Sequence, residues 1–276
     1  MTTRILPPTA NLTRAEYEAI QALSYSGMKE LARSPAHYKS WLTDKREETK
    51  ALRIGKAVHC AFLQPDLWAK TYKAIPDCDR RTKEGKALHE AFMSSLNPGD
   101  TALPFEEYEL ATEVAQAAER IADAHIVRTG AWAETPLTAK DCKTPIKGIP
   151  DLIDGDGWIY DLKTTEDATE RAVIRTILNY GYHIQAAHYL TLASAHVDGI
   201  KGFRLIFVEK EKPYAGAVYE IAGELLELGR KTAAALYQTY DKCVAEDNWP
   251  GLPSHVTRLD SLPGAKKTAP DAGLTF

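Results

Sequence analysis

The chain has 276 residues, 44% of them hydrophobic, and a net charge of −4. That supports one sizeable core and gives no overall basic field for nucleic acid. Four scattered cysteines, Cys60, Cys78, Cys142 and Cys243, form no CxxC pair, which argues against zinc or iron–sulfur ligation and suits reduced thiols. The first residues, Met1-Thr-Thr-Arg-Ile-Leu-Pro-Pro, lack an apolar signal core, and no run approaches the roughly 18 apolar residues of a membrane span. A soluble, cytoplasmic protein with no membrane partner is expected.

In chain order, residues 1–22 are polar and proline-containing and read as a flexible arm. Residues 24–41 read as a short helix entered through Ser26 and broken at Pro35, with Leu31, Tyr38 and Trp41 as core or interface residues. The mixed charge run 43–50 is expected to be solvated. A helix over 51–64 carries Leu52, Val58, Phe62 and Leu63 as its apolar members. Arg53, Lys56 and His59 recur at i, i+3 and i+6 as a polar stripe. Arg80, Arg81, Lys83 and Lys86 surround Gly85 in a loop that is either solvated or holds phosphate. A helix over 86–96 and a long amphipathic helix over 105–129 follow.

Residues 134–140 read as a first strand, ended by the turn Asp141-Cys142-Lys143. Glu134 at its start is either a ligand or a charged strand end. The stretch 148–165 then reads as a hairpin. Gly155-Asp156-Gly157 is turn chemistry, and apolar β-prone runs, 149–153 and 158–162, flank it. Asp151 lies four residues before the turn and Asp161 four after it, which sets them across from one another. Period-2 alternation puts Asp161 and Lys163 on one face and Leu162 on the other. With 134–140, the hairpin makes a three-stranded antiparallel meander. Clustered carboxylates repel, and a divalent cation with oxygen ligands, Mg²⁺ or Mn²⁺, relieves that repulsion. A neighbouring lysine can hold or deprotonate a water.

After a helix entry at Thr164-Thr165-Glu166-Asp167, helices are expected over 168–179 and 182–195, where Gln185 and Tyr189 share a face. Strands over 202–209 and 215–221 and a helix over 223–246 precede an irregular tail, 256–276. The whole reads as one α/β domain, 23–255, with a mixed central sheet flanked by helices.

Pro150-Asp151 followed by Asp161-Leu162-Lys163 resembles the PD-(D/E)xK nuclease signature. Four further stretches are similar to the RecE-type (exodeoxyribonuclease VIII-like) branch, related to the RecB and λ exonuclease nuclease domains: 25–38, Gly55-Lys-Ala-Val-His59, Asp79-Arg-Arg-Thr-Lys-Glu-Gly-Lys86 and Gln185-Ala-Ala-His-Tyr189. Together they span roughly residues 20–255. The resemblance implies a restriction-endonuclease-like fold and Mg²⁺, for which Mn²⁺ substitutes, held by Asp151, Asp161 and the Leu162 carbonyl. His59 approaches the metal, and Glu134 is a further acidic candidate. Lys163 orients or activates water, and Gln185 lies near the reacting phosphate with Tyr189 alongside. Arg53, Lys56, Arg80, Arg81, Lys83 and Lys86 contact phosphates.

The activity implied is a 5′-to-3′ exonuclease on double-stranded DNA in phage-type or recombinational processing. A ring-shaped homo-oligomer, such as a tetramer, and a recombination partner that anneals single strands are also implied. An endonuclease or nickase of the same fold, or a non-catalytic DNA-binding subunit, are the alternatives. The intact trio Asp151, Asp161 and Lys163 argues against the last.

Overall fold

The computed structural model describes residues 12–44, 47–141 and 143–256. Residues 1–11, Lys45 and Arg46 of the charge run, Cys142 of the expected turn and the tail beyond Val256 lie outside them. The expected arm contains a helix, α1 (Arg14–Ala19). Thr13 and Glu16 cap it reciprocally and Tyr17 is buried. Its C-terminal carbonyls meet a cation, since Lys147 Nζ donates to the oxygens of Tyr17, Glu18 and Ile20 at 3.0, 3.3 and 2.9 Å.

Strand β1 (Leu23–Ser24) leads into α2 (Tyr25–Arg33) and α3 (Pro35–Trp41). Ser24, not Ser26, caps α2. Its hydroxyl sits one residue before the first helical turn and accepts from the Gly27 N–H. Ser34 caps α3, and Pro35 takes its first position, where a missing N–H costs nothing. Leu23, Tyr25, Met28, Leu31 and Tyr38 are buried in the chain's own core.

Helices α4 (Lys50–Leu63) and α5 (Pro65–Thr71) precede β2 (Tyr72–Ile75), α6 (Lys83–Ser95), β3 (Thr101–Pro104) and α7 (Phe105–Ala122). β2 and β3 pair in parallel as a small separate sheet. Thr82 caps α6, so that helix begins at Lys83 and not at Lys86.

The expected meander is divided between two sheets. After β4 (Trp132–Ala133), Glu134 adopts φ 48, a left-handed backbone that a strand cannot continue. The chain resumes as β5 (Leu137–Asp141), which pairs antiparallel with β6 (Thr144–Gly148), and β1 joins that sheet in parallel. At Pro150, which has no N–H for a ladder, the chain leaves β6 and returns to the first sheet as β7 (Leu152–Ile153). β7 pairs antiparallel with β4 and with β8 (Trp158–Thr165).

Two helices, α8 (Glu170–Tyr180) and α9 (Tyr182–Ser194), meet at Gly181, whose φ of 74 makes the corner. Thr169, beyond the expected Thr164–Asp167 entry, precedes α8, because β8 runs on to Thr165. β9 (Gly202–Glu209) lies parallel to β8, and β10 (Gly216–Ile221) lies antiparallel to β9. The main sheet thus has the order β10-β9-β8-β7-β4. Helix α10 (Gly223–Glu246) crosses α9 closely. A Cβ on Gly229 would stand 2.0 Å from the His183 carbonyl oxygen.

Alternation along the central strands gives each sheet face its own core. Ile159, Phe203, Leu205 and Phe207 pack with α2, α8, α9 and α10, while Tyr160, Leu162, Ile206 and Val208 pack with α4 and α7. The architecture is α/β, a mixed sheet between helical layers.

His188 of α9 is fully buried between the Lys147 carbonyl, 3.0 Å from Nε2, and the Tyr237 hydroxyl, 2.8 Å from Nδ1. A neutral ring satisfies both, donating to the carbonyl and accepting from the hydroxyl. Burial pushes its pKa down to about 4. The unfolded chain binds the proton near pH 6.5, so this group's stabilisation is complete above that pH and is lost as pH falls towards 4. Denaturant melts should therefore show about 3 kcal/mol more loss between pH 7 and pH 4 in the wild type than in His188→Gln. Parallel pH profiles would show that His188 is not titrating in this way.

Candidate active site

Asp151 directly precedes β7, and the register Leu152↔Tyr160 carried one step back sets it opposite Asp161 of β8, as the spacing about the glycine turn predicts. Asp151 Oδ2 accepts from the Leu162 N–H at 2.8 Å and lies 3.2 Å from His59 Nδ1 of α4. The left-handed turn at Glu134 brings a third group in, its N–H donating to the Asp151 carbonyl at 3.0 Å. Ligand atoms of His59, Glu134 and Asp151 all lie within 4.8 Å of one another. One imidazole and two carboxylates at that spacing are a donor set that can hold a divalent metal ion.

Asp161, 1% exposed, faces the other half of the site. Lys163 Nζ forms an ion pair with its Oδ2, and Gln185 Nε2 donates to Oδ1 at 2.5 Å. Tyr189, one turn after Gln185, donates its hydroxyl to the Ile149 carbonyl at 3.2 Å and so braces the segment leading to Asp151. Lys163 also lies over the ring of Tyr182, 4.6 Å from its centroid.

Electrostatics divide the two carboxylates. Burial, reinforced by the charge of Asp151, pushes Asp161 up to about 6 despite Lys163. Burial would raise Asp151 as well, but His59, Lys163 and the Leu162 N–H together hold it below the ordinary carboxylate range. Burial opposes the charge on His59, yet Asp151 raises its pKa to about 9. Lys163 is likewise held above its usual value, burial being outweighed by Asp161, Asp151 and Tyr182. A proton on His59 balances the charge of Asp151, and a metal ion held by both would displace that proton and take over the same electrostatic role.

Residues 24–259 match the PDDEXK-like domain of unknown function (DUF3799). The chain belongs to this PDDEXK-like family. No curated protein sequence matches it. Among solved structures, a candidate exonuclease from Eubacterium rectale is similar at 14% identity and a TM-score of 0.60, covering 92% of this chain and 96% of its own. That likeness shows the fold. A phage-related exonuclease from Haemophilus somnus shares 13% identity over 80% of this chain and 95% of its own, with a TM-score of 0.35.

In this PDDEXK-like chain the cluster opens into a cleft of about 890 Å³, lined among others by Tyr17, Tyr25, Tyr38, Trp41, His59, Glu134 and Asp151. The basic residues fare differently. Arg53 makes a two-pronged ion pair with Glu107 at 2.7 and 2.8 Å, joining α4 to α7, and Lys56 pairs with Glu48 at 2.6 Å. Arg81 is held by Asp79 at 3.0 Å, whereas Arg80, Lys83 and Lys86 are exposed on the loop and first turns of α6. None of these six lines the cleft. Tyr182, over Lys163, and Tyr25, in the cleft wall, are site neighbours that no sequence motif singles out. The one sequence signal for Tyr182 is its place one helical turn before Gln185. Among the described residues no helix is long and apolar enough to cross a membrane.

Metal binding is testable without catalysis. Mn²⁺ at 100 times its Kd should stabilise the wild type by about 2.7 kcal/mol, a rise of several degrees in melting temperature. Asp151→Ala should abolish that rise, and Glu134→Ala and His59→Ala should reduce it. An unshifted wild type would remove the metal centre, and an unaffected His59→Ala would make His59 structural.

Proposed function

We propose that the protein is a divalent-metal-dependent deoxyribonuclease that hydrolyses phosphodiester bonds from the ends of double-stranded DNA. The observation that carries this reading is the meeting of two half-sites across one hairpin. His59, Glu134 and Asp151 form a ligand cluster beside the Asp161–Lys163 pair. Binding alone would not need a buried carboxylate pair with an ammonium between helix and sheet. The exonuclease naming of the Eubacterium rectale protein supports attack from ends, and the resemblance to RecE-type enzymes supports the 5′-to-3′ direction.

In this proposal His59, Glu134, Asp151 and Asp161, with the Leu162 carbonyl, hold Mg²⁺ or Mn²⁺. When bound, such an ion polarises a phosphoryl oxygen and makes a water nucleophilic near neutral pH. Lys163, kept charged by Asp161 and Asp151, acts as a donor that holds the attacking water or a phosphate oxygen. Gln185 fixes the rotamer of Asp161, and Tyr189 fixes the approach of Asp151. A closed oligomer and a strand-annealing partner belong to the same reading and rest on the family resemblance.

End-labelled linear duplex should be consumed with Mg²⁺ and survive with chelator, while covalently closed circles persist. Lys163→Ala and Asp161→Ala should each lower kcat by about 10²–10⁴-fold with the fold intact. Nicked or linearised circles would mean an endonuclease. Undiminished cutting by both variants would overturn the site, and duplex binding without any hydrolysis would leave a binding subunit.

Phosphate contacts are expected from the exposed members of the basic loop. Replacing Arg80 and Lys83 by Ala should weaken duplex binding without regard to sequence and reduce the slope of log K against log salt by roughly 0.9 per lost contact. An unchanged slope would place the duplex elsewhere on the surface.

A further inference from the structure

We infer that Tyr182 is the positioning residue for Lys163, its ring acting as the platform on which the ammonium is aimed at the reacting phosphate or water. The inference deepens the nuclease reading and rests on it. Lys163 ends in a long flexible stem that the strand alone does not orient. Its ion pair with Asp161 restrains distance more than direction, and Asp161 is itself shared with Gln185. The ring face supplies the missing direction. The ammonium lies 4.6 Å from the Tyr182 centroid, in a site where the Lys163 side chain is only 18% exposed. A cation–π contact is strongest where it is desolvated.

The platform is fixed by contacts that do not involve Lys163. Tyr182 opens α9 immediately after the left-handed corner at Gly181. Tyr180, on the other side of that corner, stacks on Tyr182 with centroids 5.8 Å apart and planes 17° apart. The Tyr25 hydroxyl donates to the Tyr180 carbonyl at 2.6 Å and ties the corner to α2. Phe207 lies 6.3 Å from the Tyr182 ring and is also the register partner of Lys163 in β9. The ring is thus wedged beside the strand pair that carries the lysine, with its position set by α2, the corner and β9.

The test uses the full-length protein, linear duplex DNA and saturating Mg²⁺. Tyr182→Leu should lower kcat by about 10- to 30-fold, the rate equivalent of a desolvated cation–π contact. KM for DNA and the Mg²⁺ concentration for half-activity should stay near wild type, and Tyr182→Phe should restore most of kcat. Because Tyr182→Leu can disturb the corner, a second series replaces Tyr182 by phenylalanines of increasing fluorination, nearly isosteric rings with weakening negative faces. In that series log kcat should fall steadily with fluorine count.

A readout independent of turnover is the Lys163 ε-methylene proton resonance, assigned by its loss in Lys163→Arg. It should be shifted upfield by the ring in the wild type and in Tyr182→Phe, and should move to the ordinary lysine position in Tyr182→Leu. A flat fluorination series in an active enzyme, an effect on KM in place of kcat, or an unshifted lysine resonance would each overturn the positioning role while leaving the nuclease reading intact. A wild type that shifts the resonance but hydrolyses no DNA with Mg²⁺ or Mn²⁺ would refute the nuclease reading and the role together.

Discussion

Two carboxylates buried side by side constrain much of this molecule. Asp151 and Asp161 face each other across a hairpin with almost no access to water, where like charges repel strongly and neither can rely on solvent. Their surroundings are arranged to make that tolerable. A helix from one side contributes His59, the strand contributes Lys163 and the Leu162 N–H, and a helix from the other side contributes Gln185. Each neutralises or bonds one carboxylate oxygen, and together they come from three elements, α4, β8 and α9. The sheet, α4 and α9 must therefore keep their relative positions for the carboxylates to remain buried. Stability and site geometry depend on the same contacts.

The backbone around the pair is irregular where the site needs it. Glu134 takes a left-handed conformation, which costs a non-glycine residue of order 1–2 kcal/mol. In return its side chain is delivered to the Asp151 and His59 group. Pro150 ends one ladder so that the next residue, Asp151, points into the site and not along a continuous strand. Observed strain at a ligand cluster is where strain is expected to be kept, because the surrounding fold over-determines it.

Much of the long-range order was legible because it rests on periodicity. Helix α10 and strand β9 occupy the residues expected of them, and each opens on a glycine, Gly223 and Gly202. The opposition of Asp151 and Asp161 followed from counting residues about a glycine turn. The separation of β5 and β6 from the main sheet did not, because it depends on one φ angle at Glu134 and one missing N–H at Pro150. The pairing of β2 with β3 joins two four-residue runs across α6, and no local pattern predicts a partner that far away. At the site, Asp161 and Lys163 were visible as a strand motif, and Gln185 and Tyr189 as a spacing within a family resemblance. The ring of Tyr182 was hidden because it reaches Lys163 only through the α8–α9 corner. The ion pairs that occupy Arg53 and Lys56 were hidden because Glu107 lies on another helix and Glu48 in the loop before α4.

The lengths of the strands carry a consequence for motion. β8 pairs with β9 over eight residues, whereas β7 is held to β8 and to β4 by two residues on each side. Opening a short edge ladder exposes few backbone hydrogen bonds and little apolar surface, so such edges exchange amide hydrogens through small local fluctuations while central strands wait for global unfolding. The site straddles that boundary. Asp161 and Lys163 ride on the strand with the eight-residue ladder, and Asp151 and Glu134 adjoin the two-residue ladders of β7 and β4. Amide exchange is therefore expected to be faster at the margin that carries Asp151 and Glu134 than along β8, although one buried cluster joins the two.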